Sequence, residues 1–176
     1  MPILRQIAQL GQPVLRQVAE NVVAPDDHSI HALIEDLLIT VADADGVGIA
    51  APQVFESLSL FIMASRPNAR YPNAPEMEPT AMINPEILWR HGEFVSGWEG
   101  CLSIPGLRGL VPRHQRIGVR FVTRTGEVRE VEYSDFLARV FQHEYDHLQG
   151  VVFVDRVESS KDLVTEKEYL RSVTHA

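Results

Sequence analysis

Apolar residues recur along this chain with two periods, and the changes of period divide it into elements. Ile30, Leu33, Ile34, Leu37, Leu38 and Val41 fall at i, i+3, i+4, i+7, i+8 and i+11. That is the stripe of an amphipathic helix that packs on a sheet or a second helix. Pro25, Asp26 and Asp27 precede it and Asp45-Gly46 follows it. An aspartate at the start accepts from free N–H groups of the first turn and complements the helix dipole. A second stripe, Phe136, Leu137, Val140, Phe141, Tyr145 and Leu148, begins after Ser134-Asp135 and stops before Gly150. It predicts a core helix capped by Ser134 and ended by a glycine.

Residues 58–63, apolar apart from Ser59, predict a buried strand, and residues 81–88 predict another, closed by a turn near His91-Gly92. Ile117, Val119 and Phe121 alternate with Arg116 and Arg120, the period of a half-buried strand. Thr125-Gly126 turns the chain into a partner strand at residues 127–133. Residues 11–19 read as a turn leading into a short helical stretch, and residues 151–154 as a short strand. Ser159 or Ser160 is placed to cap a short C-terminal helix. Residues 66–79 contain Pro67, Pro72, Pro75 and Pro79 and predict an exposed loop at the rim of a site. The order predicts one α+β domain over residues 1–176: small antiparallel or mixed β-sheets around a central helix carrying His143-Glu144-x-x-His147, with an N-terminal helix.

Composition narrows the function classes. The net charge of −8 repels phosphate backbones, so direct nucleic-acid binding is not expected. No run reaches the roughly 18 apolar residues of a membrane span, and the first residues lack the apolar core of a secretory signal. Cys101 is the only cysteine, so no internal disulfide forms, and a lone thiol without an export signal points to a cytoplasmic protein.

The chemistry lies on the second helix. His143 and His147, four residues apart, share one face about one turn apart, where two imidazoles can bind one metal ion. Glu144 lies beside that face, positioned to take a proton from a metal-bound water. A third ligand is required. Downstream, Asp155, Glu158, Asp162, Glu166, Glu168 and His175 occupy a polar tail without a compelling context. Upstream, Cys101 sits in the glycine-bracketed segment Gly97-Trp98-Glu99-Gly100-Cys101-Leu102-Ser103-Ile104-Pro105-Gly106. A thiolate, two imidazoles and one open position make a catalytic four-coordinate site. A buried apolar cysteine or a cysteine nucleophile are the other readings of Cys101.

Three segments together resemble the peptide deformylase family: Gly46-Val47-Gly48-Ile49-Ala50-Ala51-Pro52-Gln53, Glu99-Gly100-Cys101-Leu102-Ser103, and Gln142-His143-Glu144-Tyr145-Asp146-His147-Leu148. Their order and spacing also fit. The resemblance implies Fe2+ held by Cys101, His143 and His147, with Zn2+, Ni2+ or Co2+ able to substitute. It implies Glu144 as the acid/base, and Gln53 with the Leu102 backbone N–H as the oxyanion donors. The implied reaction removes the formyl group from the formyl-methionine of new polypeptides and releases formate. An extended peptide would pair with the backbone around Val47, Gly48 and Gly100, and Phe136 and Val140 would line the methionine pocket.

By the same resemblance Glu99 and Arg113 form a structural pair, and Arg139 stands where the family often has an aliphatic residue. On the helix, Arg139 reads as a solvated charge. The implied partners are nascent formyl-methionyl polypeptides, met at the ribosome, and the implied state is a monomer or weak homodimer. Two alternatives stand beside this reading. One is a zinc peptidase that takes its third ligand after His147; the other is a non-catalytic paralogue that binds formyl peptides.

Overall fold

The computed structural model describes residues 1–174. Helix α1 spans His28–Asp43, and Asp27 caps it by accepting from the Ser29 N–H at 2.7 Å. Three strands follow: β1 (Gly48–Ala50), β2 (Leu60–Met63) and β3 (Thr80–Cys101). Then come β4 (Ile104–Val122), β5 (Val128–Ser134), helix α2 (Asp135–Leu148), β6 (Leu163–Thr165) and helix α3 (Glu166–Thr174). The strands make one antiparallel sheet in the order β1-β2-β3-β4-β5, with β6 added to β4. The expected α+β class with an N-terminal helix holds, but the strands form one antiparallel sheet with α2 on one face, not several small or mixed sheets around that helix.

The continuous apolar run of β2 has a geometric cause. Successive side chains on a strand point to opposite faces, and both faces are covered. Leu60 and Ile62 join Leu33, Leu37 and Val41 of α1 in one cluster; Phe61 and Met63 join Phe141 and Leu148 of α2 in another. The sheet therefore separates the two helices, and every β2 position must be apolar. Phe141 meets Phe61 edge-on at 5.1 Å between ring centroids, a favoured aromatic geometry. A third cluster, Ile104, Val111, Val152 and Phe153, closes the end of the β3–β4 hairpin.

The structure corrects four local expectations. No turn forms at His91-Gly92. The strand continues through it with shifts of register, one of them between His91 and Phe94, and Gly92 at φ +84° takes up the bulge. Residues 88–96 are exposed on both faces, so no apolar alternation marked them as strand. Residues 151–154 are not a strand. Val152 N–H donates to Asp155 Oδ2 at 2.9 Å and Phe153–Asp155 turn as a 3-10 helix, so this apolar run plugs the hairpin end. Ser134 holds the cap position of α2, but its hydroxyl accepts no capping bond. Ser159 caps a 3-10 turn at Ser160–Asp162, and the C-terminal helix starts only at Glu166.

The short helical stretch near residue 13 is a 3-10 turn, Pro13–Arg16. The N-terminal arm, which carried no pattern of its own, ties the fold from behind. Ala8 N–H donates to the Gln53 carbonyl and Leu10 N–H to the Ser103 carbonyl, both at 2.8 Å. Among the described residues no helix is long and apolar enough to cross a membrane.

Because Phe141 joins β2 to the helix that carries the histidines, Phe141→Ala is expected to cost about 3–5 kcal/mol. Urea unfolding of the two proteins measures it.

Candidate active site

Helix α2 places His143 and His147 with ring centroids 5.2 Å apart. Cys101 is the last residue of β3, and Leu102-Ser103 turn the hairpin so that Cys101 pairs with Ile104. The turn aims the thiol at the helix. One ligand atom from each of Cys101, His143 and His147 lies within 4.8 Å of the others, and Cys101 Sγ is 3.3 Å from His147 Nε2.

A buried ion network holds this arrangement. Glu99 Oε1 accepts from Arg113 Nε at 2.9 Å, and Oε2 accepts from Arg113 Nη2 at 3.0 Å. The third Arg113 donor, Nη1, reaches Asp146 Oδ2 at 2.6 Å, and Asp146 also accepts two bonds from Arg156. His143 Nδ1 donates to Glu99 Oε2 at 2.9 Å, which leaves Nε2 directed at the thiol. This is the carboxylate–histidine support typical of metal ligands. Burial alone would raise the Glu99 carboxyl, but Arg113 and His143 hold it well below the usual range. Burial would likewise lower Arg113, and Glu99 and Asp146 reverse this.

Burial drives His147 well below its usual value, so it is neutral, as a ligand must be. His143 is opposed by burial but raised by its bonds to Cys101 and Glu99. A cation held between imidazole and thiol would release any proton carried there. The donor set of one soft sulfur and two imidazoles fits a divalent first-row ion.

Glu144 is buried beside the cluster, and its Oε2 has no hydrogen-bond partner. Burial pushes its carboxyl up to about 7, into the range of a useful acid/base. Its neighbour explains one glycine of the first motif. A Cβ at Gly48 would lie 2.5 Å from Glu144 Oε1, so a side chain there would push the carboxylate out of its place. Gln53 accepts from the Ala50 N–H at 2.9 Å, and its amide nitrogen donates to Ser103 Oγ at 3.1 Å, 3.5 Å from Cys101 Sγ.

The adjoining pocket is lined by Val47, Gly48, Gln53, Gly100, Cys101, Leu102, Phe136, Val140, His143 and Glu144, among others. Every residue expected for the site from sequence lies there except His147, which sits behind the thiol. Among the described residues the downstream acids do not join the cluster. Asp155 pairs with Arg16, Glu166 with Arg108 and Glu168 with Arg171. His175 lies outside the described residues.

The model of the family described as polypeptide deformylase matches residues 4–163. The chain belongs to the polypeptide deformylase family. It is similar to peptide deformylase 2 of Nostoc sp., 60% identical over 173 residues, 98% of this chain and 97% of that protein. Peptide deformylase 2 of Shewanella oneidensis is 44% identical over 162 residues, 92% of this chain and 89% of that protein. A Met-Ala-Ser-bound class I type b peptide deformylase from Acinetobacter baumannii superposes with a TM-score of 0.86. It is 43% identical, and the match covers 89% of this chain and 100% of that one.

Four residues around this pocket were not legible as site residues. Tyr71, from the proline-rich loop, stacks on Phe136 at 5.1 Å and accepts from the Gly100 N–H at 3.3 Å. Arg108 lies beneath it, donating to Tyr71 Oη and Glu166 Oε1 at 2.8 Å each, with its guanidinium 5.0 Å from the centre of the Tyr169 ring. Glu166 lines the same pocket from the start of α3. Arg139 is not a solvated charge. Its side chain is 13% exposed and donates to Glu99 Oε1 at 2.9 Å and to the Val111 carbonyl at 2.7 Å. Gly97 makes room for it, since a Cβ there would lie 2.8 Å from Arg139 Cζ.

Glu99→Gln would leave Arg113 buried beside a neutral amide. It is expected to cost about 3–5 kcal/mol, the usual result of removing one partner of a buried pair. Denaturant unfolding of the variant reads this directly.

Proposed function

We propose that this chain, as a single domain, removes the N-formyl group from the formyl-methionine of nascent polypeptides with Cys101, His143 and His147 as the ligands of one divalent ion. As a polypeptide deformylase it is a metal-dependent hydrolase of a linear amide. The observation that carries the residue assignment is the convergence of those three ligand atoms beside Glu144 and Gln53.

When bound, the ion supplies Lewis acidity, lowering the pKa of its water and drawing charge from the formyl oxygen. The residues do the rest. Glu144 takes the proton from the attacking water and returns it to the leaving amine nitrogen; its carboxyl near 7 serves both transfers. The Gln53 amide N–H and the Leu102 backbone N–H stabilise the charge that develops on oxygen. Gln53 is suited to this because Ala50 fixes its carbonyl end and leaves the amide nitrogen facing the thiol. Phe136 and Val140 receive the methionine side chain. Val47, Gly48 and Gly100 offer backbone for an extended peptide, which at Gly100 takes the place of the Tyr71 hydroxyl.

The ion is Fe2+ in this reading, and Zn2+, Ni2+ or Co2+ suit the same ligands, because availability rather than geometry selects among them. A thiolate ligand suits a reducing compartment, the cytoplasm. The acidic surface fits a monomer that meets nascent chains at the ribosome without binding RNA directly.

Purified anaerobically with iron, the chain is expected to release formate from a formyl-methionyl tripeptide. A chelator should abolish release and added metal restore it. Glu144→Ala should keep the metal and lose roughly 10²–10⁴-fold in rate, and Gln53→Ala roughly 10²–10³-fold. Full metal occupancy without formate release overturns the proposal.

A further inference from the structure

We infer that Arg139 is a positioning residue for the metal centre, holding the Glu99 carboxylate that orients His143. The inference rests on the reading of Cys101, His143 and His147 as ligands. An ionised carboxylate has about four acceptor positions, and Glu99 fills all four. Arg113 takes one on each oxygen, His143 Nδ1 takes the second on Oε2, and Arg139 Nη1 the second on Oε1, each at 2.9–3.0 Å. The Arg113 fork alone fills one acceptor position on each Glu99 oxygen and leaves the carboxylate some freedom to turn. Arg139 removes that freedom, because its guanidinium is itself tied down.

Arg139 Nη1 also reaches the Val111 carbonyl at 2.7 Å and the Gly97 carbonyl at 3.4 Å, and Nη2 reaches the Val95 carbonyl at 2.5 Å. One side chain from α2 thus pins β3 and β4. Arg139 and His143 are i and i+4 on α2, so they rise from one face. They grip opposite oxygens of one carboxylate. Any rotation of Glu99 about its Cγ–Cδ bond breaks the Arg139 bond as it turns Oε2 away from His143. The arrangement depends on Gly97, where a Cβ would come within 2.8–2.9 Å of three guanidinium atoms. Those atoms end a flexible side chain, so a methyl group at position 97 moves Arg139 and spares the backbone.

Three variants of the full chain test this: Arg139→Met, Arg139→Lys and Gly97→Ala. Their Co2+ dissociation constants are measured by chelator competition, the bound cobalt is followed by its d–d absorption, and folding is checked by near-UV circular dichroism. Partners of metal-bound histidines are worth roughly 10–100-fold in affinity, and Arg139 acts one bond further out. Arg139→Met is therefore expected to weaken binding about tenfold and to shift the cobalt bands, while Arg139→Lys, which keeps a cation near Oε1, recovers part of the loss. Gly97→Ala should move both readouts in the same direction with Arg139 still present, and it decides the matter if Arg139→Met does not fold. Wild-type affinity and an unchanged spectrum in Arg139→Met overturn the inference, as does an effect confined to the choice of first side chain in a formate assay. If wild type takes up no cobalt, or His143→Ala holds it as tightly, the ligand assignment fails and the inference falls with it.

Discussion

Glu99 is a carboxylate with almost no contact with water, and the site depends on keeping it ionised and still. Burying such a group costs several kcal/mol, which is recovered only when its lone pairs are filled with good geometry. Here they are filled by two guanidiniums and an imidazole from two parts of the chain: Arg113 on β4, and Arg139 and His143 on α2. The pairing therefore links the hairpin to the helix at the level of the cluster. Asp146, bound to the far side of Arg113 and to Arg156, extends the chain of charges to the segment after α2. The network contributes geometry more than stability, since its favourable terms mostly offset its own desolvation.

The remaining elements hold the two sides of that link in place. β2 carries apolar side chains on both faces, so α1 and α2 are set at a fixed separation across the sheet. β1 continues into the turn Ala51–Val54 that presents Gln53, and the N-terminal arm bonds to the carbonyls of Gln53 and Ser103 from behind. Gln53 and the thiol turn are thereby tied to the arm by backbone bonds. Glycine appears where parts must nearly touch: Gly48 against Glu144, Gly97 against Arg139, and Gly100 against Arg108.

Much of this was legible in the sequence where one periodicity or one motif sufficed. The α1 stripe, the alternation at Ile117, Val119 and Phe121, and the two histidines one turn apart each encode their own neighbours. Cys101 was legible as a candidate ligand only beside two other motifs, since a lone thiol has several uses. The missed features all depend on distant residues. The partner of Arg139 is 40 positions away in sequence and its space is made by a glycine 42 positions away, so on the helix alone it reads as a surface charge. The 151–154 run failed for another reason: a short apolar segment has the same composition whether it pairs as a strand or plugs a hairpin. His91-Gly92 failed because both faces of that hairpin meet solvent, which removes the pattern that strand reading uses.

The proline-rich loop shows the same dependence at the mouth of the pocket. Its prolines and asparagines mark it as irregular, and most of it is exposed, yet Tyr71 is drawn in by partners the loop does not contain. Phe136 offers a ring, Gly100 an N–H, and Arg108 a donor that also stands under Tyr169 of α3. Arg108 is 1% exposed, so its charge is tolerated only because Glu166 and the two tyrosine rings surround it. Loop, hairpin and C-terminal helix therefore meet through one cation. A C-terminal segment that reads as a solvated polar tail is, through Glu166, part of the wall of the pocket beside the Cys101 and His143 cluster.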